Sequence, residues 1–177
     1  MNKKVYAKRR KQLMRMMNDN SVAILPSAPT LVRNRDVEHG FRQDSDFMYL
    51  SGFNEPESVI VLIPNRKQGE FVLFCRDRDP MKETWDGRRH GVEGAVENFD
   101  ADDAYVIDDL EDVLPGLMEG RESVYYSIGL NHAFDKHVLK CVNDLRTQSR
   151  RGARVPSEFV SLEYLLHDMR LYQGREE

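Results

Sequence analysis

Cysteine, tryptophan and long apolar runs are scarce in this 177-residue chain, and each scarcity excludes something. Two cysteines, Cys75 and Cys141, cannot make a disulfide framework. Cys75 ends an apolar run and Cys141 sits in a helical pattern, so both read as buried free thiols of the kind a reducing cytoplasm preserves. No apolar run approaches the roughly 20 residues that span a bilayer. The N-terminus is basic but lacks the apolar segment of a signal peptide, so a cytoplasmic protein is expected. Internal repeats and low-complexity segments are missing as well.

Catalytic templates are equally scarce. There is no G-x-S-x-G, which argues against a serine-hydrolase elbow, and no glycine-rich phosphate loop. His132 and His137 are five apart rather than four, and no glutamate follows His132, so the zinc-protease pattern fails. The stretch Asp100-Ala101-Asp102-Asp103, with Asp108 and Asp109, has no glycine and no closing glutamate of a calcium loop. It reads as a solvated loop and helix cap. The strands carry almost none of the acids that a nuclease of ribonuclease H type would project into a cleft.

What is present describes one soluble α/β domain. Apolar residues make up 40% and charged residues 32%, a globular composition. The net charge of -4 argues against a dedicated nucleic-acid binder. Charge is unevenly placed. Lys3, Lys4, Lys8, Arg9, Arg10, Lys11 and Arg15 fill the first seventeen residues without an acid. Glu97 to Glu122 is acidic, with Arg121 its only base, and Arg146, Arg150, Arg151 and Arg154 form a second basic cluster. These are either solvated faces or complementary patches that meet across an interface.

Tyr6, Leu13 and Met17 share a face of a helix from about Val5 to Met17. Ser21 to Leu25 is a short strand, followed by a long polar loop from Ser27 to Asp44. Phe47 to Leu50 is expected as a strand, with Asp44, Ser45 and Asp46 capping and orienting its start. Ser58 to Ile63 is a continuous apolar run, suited to the middle of a sheet. A hairpin loop from Pro64 to Gly69 returns the chain through Glu70 to Cys75. Arg76 to Glu93 is charged and reads as irregular. Tyr105 to Ile107 and Ser123 to Ile128 are further strands. Leu110, Val113, Leu114, Leu117 and Met118 follow helical spacing after Asp108 and Asp109, with Pro115 inside the pattern. Asn131 can cap a helix bearing Phe134, Val138, Val142 and Leu145, and Leu162, Leu165, Leu166 and Met169 define a last helix. The sum is an α/β domain with a mixed β-sheet flanked by helices.

Two features stand out from this frame. Trp85 lies in Glu83-Thr84-Trp85-Asp86-Gly87-Arg88-Arg89, and a tryptophan amid charge is either half-covered or a contact residue. Arg150 and Arg151 could meet a phosphate or carboxylate, or simply be surface residues.

Three stretches carry a family resemblance over nearly the whole chain. Phe41-Arg42-Gln43-Asp44-Ser45-Asp46-Phe47-Met48-Tyr49-Leu50-Ser51-Gly52-Phe53-Asn54-Glu55-Pro56-Glu57 resembles the YRQNSDFWYLTGFNEPE signature of the N-terminal domain of Xaa-Pro aminopeptidases, the aminopeptidase P family. Glu83 to Gly91 is similar to EIWxGRRxG. His167-Asp168-Met169-Arg170-Leu171-Tyr172 resembles HEMRLxKSxxEI, although Gln173 and Gly174 depart from the family pattern. The resemblance implies residues 1–172 as an aminopeptidase P N-terminal domain of ribonuclease H-like architecture, shared with creatinase and prolidase. It makes 173–177 the start of a linker to a pita-bread catalytic domain that lies outside this sequence. That second domain carries two metal ions, usually manganese, and removes the residue before a proline. In this fragment the resemblance implies no catalytic residue, metal or cofactor. It implies homo-oligomers, dimeric or tetrameric, in which the N-terminal domain reaches a neighbour's cavity. By motif position Trp85 and Arg150 would line that cavity, facing the peptide substrate. The alternatives are a stand-alone binding or oligomerisation module, or the matching domain of a prolidase.

Overall fold

The computed structural model describes residues 2–30 and 41–173; most of the polar loop expected after Ser27 lies outside them. In chain order the elements are α1 Lys3–Met16, β1 Ser21–Pro26, α2 Ser45–Ser51, β2 Val59–Leu62, β3 Phe71–Cys75, α3 Pro80–Asp86, α4 Gly91–Phe99, β4 Asp103–Val106, α5 Leu110–Met118, β5 Ser123–Tyr125, α6 His132–Gln148, β6 Glu158–Val160 and α7 Leu162–Gln173.

The strands form one sheet in the order β4-β3-β2-β1-β5-β6. β2 pairs antiparallel with β1 and β3, whereas β1–β5, β3–β4 and β5–β6 are parallel. Five strands therefore point one way and β2 alone points back. The mixed sheet and its central apolar strand match the expectation from sequence, and so does the hairpin, closed by the Ile63 N–H donating to Glu70 O at 2.9 Å.

The period of two divides the strand side chains between two cores. Ile60, Leu62, Leu73 and Cys75 face the layer of α1, α2, α4 and α7. Val59, Val61, Val72 and Phe74 face α5 and α6. Both faces are covered, which explains why β2 and β3 read as continuous apolar runs. Cys75 and Cys141 are buried free thiols, as expected, and burial pushes each up to about 12.

Two segments differ from expectation. Residues 47–50 are helix, not strand. The Asp44 carboxylate accepts from the Phe47 N–H at 2.9 Å, Ser51 Oγ donates to Phe47 O, and Gly52 closes α2 at φ 68°, a left-handed conformation that glycine takes at little cost. Phe47, Leu50 and Ser51 are the buried positions, a helical i, i+3, i+4 set too short to show as a period. Arg76 to Glu93 holds α3 and the start of α4 instead of irregular chain. Asp79 caps α3 through the Lys82 N–H and Pro80 opens it, yet α3 buries no residue, so it leaves no amphipathic trace.

Smaller differences follow from length. β5 ends at Tyr125, and Ile107 belongs to a 3₁₀ turn after β4. The Asp108 and Asp109 side chains do not cap α5. β6 has three exposed or half-buried residues at the sheet edge and gave no apolar signal. Asn131 caps α6 as expected, accepting from the Phe134 N–H at 3.1 Å.

The charged patches partly meet inside the chain. Lys3 Nζ donates to Glu97 O at 2.6 Å and lies 3.6 Å from Asp100. Arg10, only 4% exposed, donates to Leu50 O and stacks on Phe71; desolvation lowers its pKa to about 10. Arg9 and Arg170 flank the Tyr49 ring at 4.0 and 5.1 Å, and Arg170 pairs with Asp46 at 2.9 Å, which fastens α7 to α2.

Candidate functional site

Because β2 is the one reversed strand, the start of β2 and the ends of the other five share an edge. In open α/β sheets ligands and partners gather at that carboxyl edge. Met81 and Trp85 on α3 follow β3, Ile128 and Leu130 follow β5, and Tyr164 follows β6. All five are exposed, Trp85 to 85%.

A polar hub behind α3 holds it in place. Glu55, 6% exposed, accepts from Arg76 Nη2 at 3.3 Å through one oxygen and from the His90 N–H at 3.0 Å through the other. Its main-chain oxygen accepts from Gln43 Nε2 and Ser58 Oγ, and Gln43 Oε1 takes the Ala28 N–H at the end of β1. The His90 ring packs on Phe53 and Phe99, at 5.8 and 4.7 Å between centroids.

Glu83 makes the second joint. Its carboxylate accepts from the Arg89 N–H at 2.7 Å, the Asp79 N–H at 3.1 Å and Arg78 Nε at 2.9 Å. The Arg89 N–H, helped by the charge of Arg78, holds this carboxyl below its usual range. Arg89 is itself buried and donates through Nη1 to Asp77 O. Gly91 stands at φ 69°, where a Cβ would lie 2.7 Å from Arg78 Cγ, so the α3–α4 joint has room for glycine only. Trp85 is thus an exposed aromatic on a helix whose ends are held by hydrogen bonds.

Arg150 is exposed in the 3₁₀ turn Ser149–Arg151. That turn follows α6, at the start of β6, where the Gly120 N–H bonds Arg154 O just ahead of β5. Trp85 and Arg150 therefore lie at opposite edges of one sheet, and a single chain does not bring them together.

Three acids of the 100–109 stretch, Asp100, Asp102 and Asp103, have structural partners. Asp102 accepts from the Phe71 N–H and Asp103 pairs with Arg66 at 2.9 Å. His137 contacts Glu111 at 2.8 Å. Among the described residues no group of three or more His, Cys, Asp or Glu could hold a metal ion, and no helix is long and apolar enough to cross a membrane.

Sequence reasoning singled out Trp85 and Arg150 but missed Glu55, Gln43, Arg76 and Arg89. Gln43, Glu55 and Arg89 lie in two of the three stretches that carry the resemblance. Their burial was the missing information, since buried charge has no signature in composition.

A helix-flanked mixed sheet with an exposed helix after β3 defines an α/β domain. Comparison with known proteins gives the domain its family. The sequence matches the family described as aminopeptidase P, N-terminal domain, over residues 6–125. It is 36% identical over 173 residues to the Xaa-Pro aminopeptidase of Escherichia coli strain K12, covering 97% of this chain and 39% of that one. It is 35% identical over 134 residues to human Xaa-Pro aminopeptidase 3, covering 68% of this chain and 26% of the relative. Among solved structures, the Pseudomonas aeruginosa aminopeptidase PepP superposes with a TM-score of 0.91 at 56% identity, over 94% of this chain and 38% of that one. The E. coli aminopeptidase P also gives 0.91, at 35% identity. The chain belongs to the aminopeptidase P N-terminal domain family. It spans about two-fifths of the E. coli relative's length.

Proposed function

We propose that this chain is the assembly and entrance domain of a manganese-dependent Xaa-Pro aminopeptidase, a cytoplasmic hydrolase that releases the N-terminal residue of peptides with proline second. The observation that carries this reading is α3: a helix with no buried residue, whose own Glu83 bonds Asp79 and Arg89 and whose flanking Arg76 and His90 are tied to Glu55, and which carries an 85% exposed tryptophan outward. Holding a bare aromatic so firmly has no use in an isolated domain, and it suits a wall for a prolyl ring in a neighbouring subunit.

Arg150 is the second substrate-facing residue, its guanidinium meeting a peptide carbonyl or terminal carboxylate. Trp85 and Arg150 lie at opposite sheet edges, and in this reading the homo-oligomer is what brings both to a neighbouring subunit's cavity. The relatives' names supply the reaction class, and a zinc-substituted E. coli aminopeptidase P bound to product is among the structural matches. In a two-metal site the metals activate a water and polarise the scissile carbonyl. Here that chemistry belongs to a catalytic domain joined after residues 173–177, and residues 1–172 shape access to it. Two buried free thiols support a reducing compartment, although one relative, from Arabidopsis thaliana, is named a mitochondrial peptidase.

The test is an assay of the 177-residue chain with manganese and an Xaa-Pro peptide. No turnover is expected. Turnover at the rate of a two-domain enzyme would overturn the division of labour.

A further inference from the structure

The edge of the sheet opposite α3 carries a second feature, which the peptidase reading does not use. The β2–β3 hairpin loop, the last turn of α5 and the turn after it line an open cleft of about 280 Å³, with Ile63, Arg66, Gln68, Gly116, Leu117 and Arg121 on its walls. Two of the six are arginines and none is an acid.

The two guanidiniums are unequally satisfied. Arg66 Nη1 pairs with Asp103 at 2.9 Å and donates to Gly69 O at 3.0 Å. Arg121 has no carboxylate partner among the described residues; its one side-chain contact is Nη1 to Pro64 O at 3.5 Å, the long limit of a hydrogen bond. Desolvation, and then the like charge of Arg66, lower its pKa, so the protein disfavours the cation that arginine must nonetheless keep. Its guanidinium does not reach the last carbonyls of α5, of which Pro115 O and Met118 O accept the Glu119 and Arg121 N–H groups. A partly desolvated cation facing another cation is stabilised by an anion placed between them, and guanidinium forks match oxyanions through paired hydrogen bonds.

We infer that this cleft is a binding site for a phosphoryl group, held between the guanidiniums of Arg66 and Arg121 with the Gln68 amide as a further donor. Gly116, one of the lining residues, gives a way to block it. Gly116 has nothing within 4 Å of where a Cβ would stand, so a side chain there grows into open space and not into the core.

The experiment is an NMR titration of the isotopically labelled chain with inorganic phosphate, with sodium acetate and sodium chloride at matched ionic strength. Saturable shifts are expected at the amides of Arg66, Gln68, Leu117 and Arg121 with phosphate, and weaker binding of acetate. Losing the charge-assisted pair in Arg121→Gln is expected to weaken phosphate binding about tenfold or more. Gly116→Leu, which leaves every charge in place, is expected to abolish binding, while Lys82→Gln on α3 is expected to leave it intact. Shifts that grow linearly, that chloride reproduces, that acetate matches, or that survive both Arg121→Gln and Gly116→Leu would overturn the assignment. Should Arg121→Gln fail to fold, Gly116→Leu decides alone.

Discussion

Glu55→Ala is expected to be among the most destabilising single changes in this domain, costing about 3–5 kcal/mol of unfolding free energy. At roughly 2–4 °C per kcal/mol for a chain of this size, the melting temperature should fall by about 6–20 °C. The reason is the partner left behind. Arg76 has a side chain only 13% exposed and already has an unpartnered Nε, so removing Glu55 strands a buried cation. The His90 N–H loses its acceptor in the same step, and with it the start of α4. Glu55→Gln keeps an acceptor for that N–H and should cost less. Thermal unfolding of the three proteins, followed by far-ultraviolet circular dichroism, checks both the size and the order. Equal melting temperatures for wild type and Glu55→Ala would show that the hub is not what holds this edge.

Trp85→Ala should do the reverse, leaving the domain intact and disabling the assembly. The side chain is 85% exposed and α3 buries nothing, so the melting temperature of the domain should stay within the small range of surface substitutions. In the full-length enzyme the same change removes a wall of the proposed prolyl pocket. A buried aromatic anchor is worth about 2 kcal/mol or more, so kcat/KM on Xaa-Pro peptides should fall about thirtyfold. Metal content should remain normal, because α3 carries no ligand. An unchanged kcat/KM would remove Trp85 from the pocket and leave α3 without a role.

These two residues also show what could be read from sequence and what could not. The apolar runs Val59 to Leu62 and Phe71 to Cys75 identified the sheet centre because strands covered on both faces need apolar residues at every position. The long helix α6 was equally plain, since seventeen residues give its stripe time to repeat. Residues 47–50 were misread because four residues cannot tell a period of two from one of 3.6. The cap at Asp44 was seen, but on the wrong element. α3 escaped notice for a different reason: it has no buried residue, so no inward stripe exists to be seen.

At the site, Trp85 was legible as an odd residue among charges. The hub behind it was not. Glu55, Arg76 and His90 come from three separate segments, and only the reversal of β2 brings the residue before that strand beside the residues after β3. Gln43 spans a similar gap, joining the end of β1 to the chain around Phe53 and Glu55. Contacts of this kind depend on strand direction, which hydropathy does not encode.

Trp85 is also the single tryptophan of the chain. Already surrounded by water in the folded domain, its indole emission should barely shift when the domain unfolds, so intrinsic fluorescence will understate the loss of the Glu55 hub. The same indole should shift to the blue when a neighbouring subunit covers it. One natural fluorophore thus reports association while remaining almost blind to folding.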